Sequence, residues 1–190
     1  MILGVHHTAI TTCNLDRLLK FYCDLFGFTR IDESAWRVGD TMTDRIMGLE
    51  GSSGRFALIH LNNACLEIVE FITPKSPGTD PSPSVTRSGL MHICLGVTDL
   101  DAEYERLKAA GVIFHCAPMK PLDPKHSHAR ATYGRDPDGN VFELLELTGA
   151  APFAVKASGV DWRSESGANP DRLSGAGAAG FSNSHSTGRS

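Results

Sequence analysis

Two histidines and two glutamates stand at matched places along this chain: His7 and Glu67 in its first half, His92 and Glu143 in its second. Neutral imidazole nitrogen and carboxylate oxygen together suit a divalent first-row ion. The matching is a repeat. "HTAITTCNLD" from His7 corresponds to "HICLGVTDLD" from His92, and the offset of 85 residues holds at Leu15/Leu100 and Asp16/Asp101. "LEIVEF" from Leu66 corresponds to "FELLEL" from Phe142, pairing Glu67 with Glu143 and Glu70 with Glu146. The His-to-Glu separation is 60 residues in one copy and 51 in the other, a difference that loops can absorb.

Strand alternation sharpens the choice of ligands. In "LEIVEF" Glu67, Val69 and Phe71 share one face while Leu66, Ile68 and Glu70 share the other, so one glutamate per strand can point into a site. His6 and His7 are likewise expected to face opposite ways, and the alignment with His92 selects His7. A single His or Glu on a strand is ordinarily a surface or hydrogen-bonded residue; four at repeat-equivalent places form a set. His60, His115, His126, His128 and His185 have no repeat partner and are expected at solvent or packing positions, although "HSH" puts His126 and His128 on one strand face.

Such a set implies definite chemistry. Two imidazoles and two carboxylates around one divalent cation (Mn, Co, Ni, Zn or Fe) leave about zero net charge and, in six-coordinate geometry, two open positions. Two vicinal substrate oxygens fit there. A carbonyl or thioester oxygen so held is polarised, and the enolate formed when an α-proton leaves is stabilised where its charge develops. Glu143 or Glu67 is the candidate base that removes and redelivers the proton.

The elements that must position these residues follow from the pattern. After Asn14, Leu15, Leu18, Leu19 and Tyr22 keep a helical period that Gly27 ends; after Asp99, Leu100, Tyr104 and Leu107 do the same before Gly111. Strands are expected at 35–38, 55–61 and 65–71 in the first copy and at 112–115, 128–135 and 140–147 in the second, with "DPDGN" from Asp136 as a tight turn. The result is an α+β chain of two βαβββ modules, 4–73 and 90–148, joined by a linker, 74–89, that carries four prolines.

Composition bounds the rest. A chain of 190 residues with 41% apolar residues, 21% charged residues and net charge -4 reads as globular. Eighteen Lys and Arg against 22 Asp and Glu provide no basic excess, so no nucleic-acid partner is expected. With no apolar run approaching 18 residues and no leader-like start, no membrane partner is expected and the location is read as cytoplasmic. The five cysteines are odd in number and scattered, and read as buried thiols rather than a disulfide framework. Residues 149–190 read as an arm and a disordered tail, since 12 of the last 17 positions are Gly, Ala or Ser. Truncation after Gly149 is therefore expected to leave a folded, metal-binding protein. Loss of cooperative unfolding in the truncated chain would show that the arm around Phe153 and Trp162 belongs to the core.

"HHTAI" at His6, "FYCDLFGF" at Phe21, "LEIVEF" at Leu66, "GLMHICLGV" at Gly89 and "DPDGNVFELLEL" at Asp136 together resemble the vicinal oxygen chelate superfamily, which includes glyoxalase I, methylmalonyl-CoA epimerase, extradiol dioxygenases and resistance proteins. The likeness spans about residues 4–148. It implies paired modules curled into a cupped mixed sheet, one divalent metal ion per site at His7, Glu67, His92 and Glu143, a small-molecule substrate and a homodimer. Whether the four ligands come from one chain or two stays open. The activity it implies is that of a glyoxalase I-like lyase or an acyl-CoA epimerase-like isomerase; glyoxalase I has Glu where Glu67 stands, and the epimerases tend to have Gln. The alternative is an Fe(II) extradiol-type dioxygenase, which binds its metal through two His and one carboxylate, so that Glu67 counts against it. A metal-free binding or resistance protein is the second alternative. For the substrate, Lys120, Lys125, Arg130 and Arg135 stand against one acid, Asp123, and would suit an anionic thiol carrier or else form a solvated basic loop. Asp40, Asp44 and Arg45 are further substrate-side candidates.

Overall fold

Apolar residues that return at every second position of the strands and along one stripe of two helices dictate where this chain turns inward. The computed structural model describes residues 2, 4–78, 80–119 and 128–147. Lys120, Asp123, Lys125, His126, His185 and the whole arm and tail lie outside the described residues. Module one runs β1 (His7–Thr12), α1 (Leu15–Lys20), β2 (Thr29–Trp36), α2 (Thr41–Met47), β3 (Ser53–Leu61) and β4 (Ala64–Thr73). Module two runs β5 (His92–Val97), α3 (Leu100–Ala109), β6 (Ile113–Phe114), β7 (Ala129–Arg135) and β8 (Val141–Leu147). Each module makes one four-stranded mixed sheet, in the orders β1-β4-β3-β2 and β5-β8-β7-β6. First and last strands pair in parallel and the other neighbours antiparallel. This is the expected α+β architecture.

The helices start where the sequence places them. Asn14 accepts from the Arg17 amide and Asp99 from the Ala102 amide, satisfying donors that the first helical turn leaves open. Leu15, Leu18, Leu19, Leu100 and Leu107 are fully buried. Beyond Lys20 the first helix widens into a π-helical turn, Phe21–Leu25, before Gly27, at φ +75°, lets the chain reverse.

Three elements depart from expectation. β2 begins at Thr29 rather than near 35, because seven of its eight residues are exposed on both faces and carry no alternation to read. α2 has no apolar stripe: its buried residue is Asp44, while Met42 and Ile46 are exposed. The second strand of module two is only the two residues of β6.

One hydrophobic core joins the helix-side faces of both sheets, with Ile10, Ile59 and Ile68 from the first and Phe142 and Leu144 from the second. Phe142 is central, its ring 6.1 Å from Phe21, 5.1 Å from Phe26 and 5.8 Å from Phe114. Polar ties reinforce the junction: Tyr22 donates to Asp136 at 3.1 Å, and Asp138 accepts from Thr12 and Arg17. Burial pushes the Asp136 carboxyl above its ordinary range despite its donors. The linker is packed against this turn, because Arg135 donates to the Pro83 carbonyl at 2.8 Å and a Cβ on Gly139 would lie 2.6 Å from the Asp80 carbonyl oxygen.

Sheet and aromatic core meet closely at Gly134, where a Cβ would stand 2.3 Å from the Phe142 ring. Gly134→Ala is expected to destabilise the protein by about 1–3 kcal/mol through overpacking. Gly96→Ala, on a strand position with nothing within 4 Å, should stay near wild type. Urea unfolding checks both, and equal midpoints for the two variants would show that Phe142 gives way freely.

Candidate metal centre

Parallel pairing puts each histidine beside its glutamate. In module one His7 aligns with Cys65 and Ala9 with Glu67; in module two His92 aligns with Val141 and Cys94 with Glu143. In both, the histidine lies two residues before the position opposite the glutamate, on the same face. His7 Nε2 is 3.7 Å from Glu67 Oε2, and His92 Nε2 is 3.0 Å from Glu143 Oε2. Both pairs lie on the sheet faces turned away from the shared core, since in β1 Ile10 and Thr12 are buried while His7, Ala9 and Thr11 are exposed. Among the described residues no three His, Cys, Asp or Glu side chains converge into one cluster. One chain therefore presents two His–Glu pairs, each half of the expected set.

The other glutamate of each strand has a different role. Glu70 accepts from Arg55 at 2.8 Å and from the Leu15 amide at 3.1 Å, and Arg55 also donates to Asp16 at 2.8 Å. Glu146 accepts from Arg130 at 3.1 Å, and Arg130 reaches Asp101 at 2.8 Å. The arginine thus braces the last strand to the start of the helix in both modules, and its guanidinium holds the Asp16 carboxyl below its ordinary range. Glu67 and Glu143 form no ion pair with Lys or Arg among the described residues; each faces an imidazole instead. The His92 Nδ1 is buried without a hydrogen-bond partner among the described residues.

The two halves are chemically unequal. Opposite Glu143 across the β7–β8 ladder stands Tyr133, whose ring centroid is 5.1 Å from that of His92; opposite Glu67 stands Leu58. Where module one has Ala9, module two has Cys94, whose solvent-reachable thiol is hemmed in by the sheet and pushed up to about 12, with the Glu143 charge adding to the effect. The Tyr133 hydroxyl is raised by burial and by Glu143, and His115, 6.1 Å from the Tyr133 ring, is lowered by burial and by Arg135. Sequence reasoning passed over Arg55, Arg130 as a brace, and Tyr133. The signal was present: Arg55/Arg130 and Leu58/Tyr133 share an offset of 75 residues, beside 76 for the two glutamates.

Other expectations are corrected. His6 does not turn away from His7, for their Nδ1 atoms are 2.9 Å apart. Asp40 caps α2, accepting from the Thr43 amide and hydroxyl. Asp44 is buried and accepts from the Gly51 and Ser52 amides and the Ser52 hydroxyl, which hold it below its ordinary range. Both acids build the corner after β2, and Arg45 lies in the last turn of the same short helix. Arg130 and Arg135 are held by protein acceptors rather than presented to a ligand. All five cysteines are free, but none is fully buried.

Comparison with known proteins follows the same outline. The sequence profile of the Glyoxalase/Bleomycin resistance protein/Dioxygenase superfamily matches residues 4–144. A 2-epi-5-epi-valiolone epimerase from Actinomyces sp. is 30% identical over 156 residues, covering 79% of this chain and 82% of that protein. A probable lactoylglutathione lyase from Synechocystis sp. is 28% identical over 144 residues, covering 75% of this chain and 94% of that one. Among solved structures, a glyoxalase family protein from Bacillus cereus superposes with a TM-score of 0.69 at 20% identity, over 78% of this chain and 97% of its own. Among the described residues no helix is long and apolar enough to cross a membrane.

Proposed function

The chain belongs to the Glyoxalase/Bleomycin resistance protein/Dioxygenase superfamily, and from that premise we propose that it is a metal-dependent enzyme moving a proton next to a carbonyl or thioester. The observation that carries this reading is the division of labour among four glutamates. Glu70 and Glu146 are neutralised by Arg55 and Arg130, whereas Glu67 and Glu143, partly buried at 26% and 16% exposure, lie beside His7 and His92 with no Lys or Arg paired to them among the described residues. A half-buried carboxylate without a fixed cation is costly, and a divalent ion offsets that cost. The donor set fits, with one imidazole nitrogen and one carboxylate from each module.

Because the two pairs do not converge within one chain, the complete ligand set is assembled in a homodimer, His7 and Glu67 of one protomer meeting the second pair of the other. Twofold symmetry then builds two such sites.

A divalent cation held there supplies Lewis-acid polarisation of a substrate oxygen. Glu143 takes the neighbouring α-proton and, for a lyase-type shift, delivers it to the adjacent carbonyl carbon; for an epimerisation Glu67, protonated beforehand, donates a proton to the opposite face of the same carbon. Tyr133 packs on the imidazole of His92 and limits its rotation. The relative named as an epimerase and the one named as a lactoylglutathione lyase support proton-transfer chemistry of either outcome. The test is a screen for solvent-deuterium incorporation across 2-oxoaldehyde hemithioacetals, 2-methyl-branched acyl-CoAs and 2-epi-5-epi-valiolone, with catechols in an oxygen electrode as the contrary arm. Turnover of catechols alone would replace this reading with the dioxygenase alternative.

A further inference from the structure

The edge strands β1 and β5 flank a cavity of about 360 Å³ that the end of the linker and Leu90 close from one side and Gly139, Asn140 and Val141 from another. His92 lines it, so it opens beside one of the proposed metal ligands. Its volume suits a small molecule rather than a macromolecule. Among the lining residues Arg87 alone has a fixed charge, and there is no Asp or Glu. Arg55, Arg130 and Arg135, by contrast, are tied to protein acceptors. The Arg87 side chain makes no hydrogen bond or ion pair among the described residues.

The backbone holding Arg87 is ordered by its neighbours. Its amide donates to the Ser84 carbonyl at 3.1 Å, the Thr86 amide donates to the Ser84 hydroxyl at 3.2 Å, and those two hydroxyls are 2.7 Å apart. Upstream, Arg135 fixes the Pro83 carbonyl, and the absence of a side chain on Gly139 lets the linker approach the turn. A braced turn thus places Arg87, exposed to solvent, in the lining of the cavity.

We propose that Arg87 is the specificity-determining anchor for an anionic group, carboxylate or phosphate, on a small substrate whose reacting oxygens lie toward His92. A planar guanidinium binds either oxyanion through paired hydrogen bonds. The inference rests on the reading of His92 as a metal ligand. It favours the acidic members of the screen, such as glutathione adducts and acyl-CoAs, over uncharged sugars or cyclitols. It also replaces the basic segment around Arg130, whose described arginines are engaged elsewhere.

The experiment uses two chelators with the same head. Acetohydroxamate, with an uncharged tail, and succinic monohydroxamate, with a carboxylate tail, are titrated calorimetrically into the Mn(II)-loaded protein and into its Arg87→Gln variant. In the wild type the carboxylate tail is expected to tighten binding about tenfold, the gain of a charge-assisted contact. Arg87→Gln should abolish that gain and leave acetohydroxamate affinity and manganese content unchanged. Equal affinities in the wild type, or a gain that survives in the variant, overturns the proposal. A second arm titrates inorganic phosphate into metal-free protein and follows amide shifts by NMR. Shifts across 84–93 in the wild type but not in Arg87→Gln support the anchor even if manganese is not held, an outcome that would sink the metal reading alone. No shift, or the same shift in both proteins, overturns the anchor.

Discussion

A protein refolded from an equal mixture of His7→Ala and His92→Ala chains is expected to hold about one divalent ion per mixed dimer, whereas each variant folded alone holds close to none. The expectation follows from the two separate pairs, His7 with Glu67 at 3.7 Å and His92 with Glu143 at 3.0 Å, and from the lack of any three-residue cluster among the described residues. If each site takes one pair from either protomer, a mixed dimer carries one site with both histidines and one site with neither. Removing a direct ligand should weaken the metal by more than the roughly 10–100-fold that loss of a supporting group costs. Both parents should therefore fail; random pairing makes about half of the dimers mixed, each with one of its two sites intact, so the mixture should recover about a quarter of the wild-type content. Metal analysis after reloading under identical conditions reads the result. Parents that hold as much metal as wild type would remove these histidines from the ligand set. A mixture no better than its parents would place all four ligands within one chain.

The legible part of this protein was the part written twice. The offset of 85 residues at His7/His92 and Asp16/Asp101 placed the first strand and helix of both modules, and burial of Leu15, Leu18, Leu100 and Leu107 shows the helical stripe facing the core as read. What escaped notice had a physical reason. β2 is exposed along both faces, so no alternation marks it, and α2 is held by capping and by the buried carboxylate of Asp44 rather than by apolar burial. Asp40 and Asp44 looked like substrate-side groups because the amides they accept from are invisible in a sequence. Arg130 looked like a ligand for the same reason: its acceptors, Glu146 and Asp101, come from a neighbouring strand and a helix start. The repeat held the correction, since Arg55 makes the same brace in module one. Arg87 stayed hidden because a proline-rich linker reads as a spacer until Pro83 and Gly139 are seen to bind it down.

Catalysis is expected to exchange the substrate's α-hydrogen with solvent and to consume no oxygen. The argument rests on what surrounds the glutamates. Glu143 lies at 16% exposure, with His92 at 3.0 Å and no guanidinium or ammonium paired to it among the described residues, so its carboxylate remains available to accept a proton. Glu146, three residues on, is tied to Arg130 and faces the helices, so it cannot serve. The pair gives an internal control on one strand. Glu143→Gln should lower deuterium incorporation by roughly 10²–10⁴, the contribution typical of a positioned base. Glu146→Gln should leave exchange near wild type and instead lower the unfolding midpoint, because Arg130 loses a charged acceptor at a partly buried brace. Glu67 adds a second carboxylate where iron-dependent ring cleavage uses one, so redox-inactive divalent ions should support turnover. NMR of the substrate in D₂O run beside an oxygen electrode separates the two chemistries. Oxygen uptake that tracks substrate loss and requires Fe(II) would assign the site to ring cleavage and move Glu67 out of the ligand set. Exchange that is equally fast in Glu143→Gln and wild type would shift the base to Glu67, with Glu67→Gln then expected to show the loss.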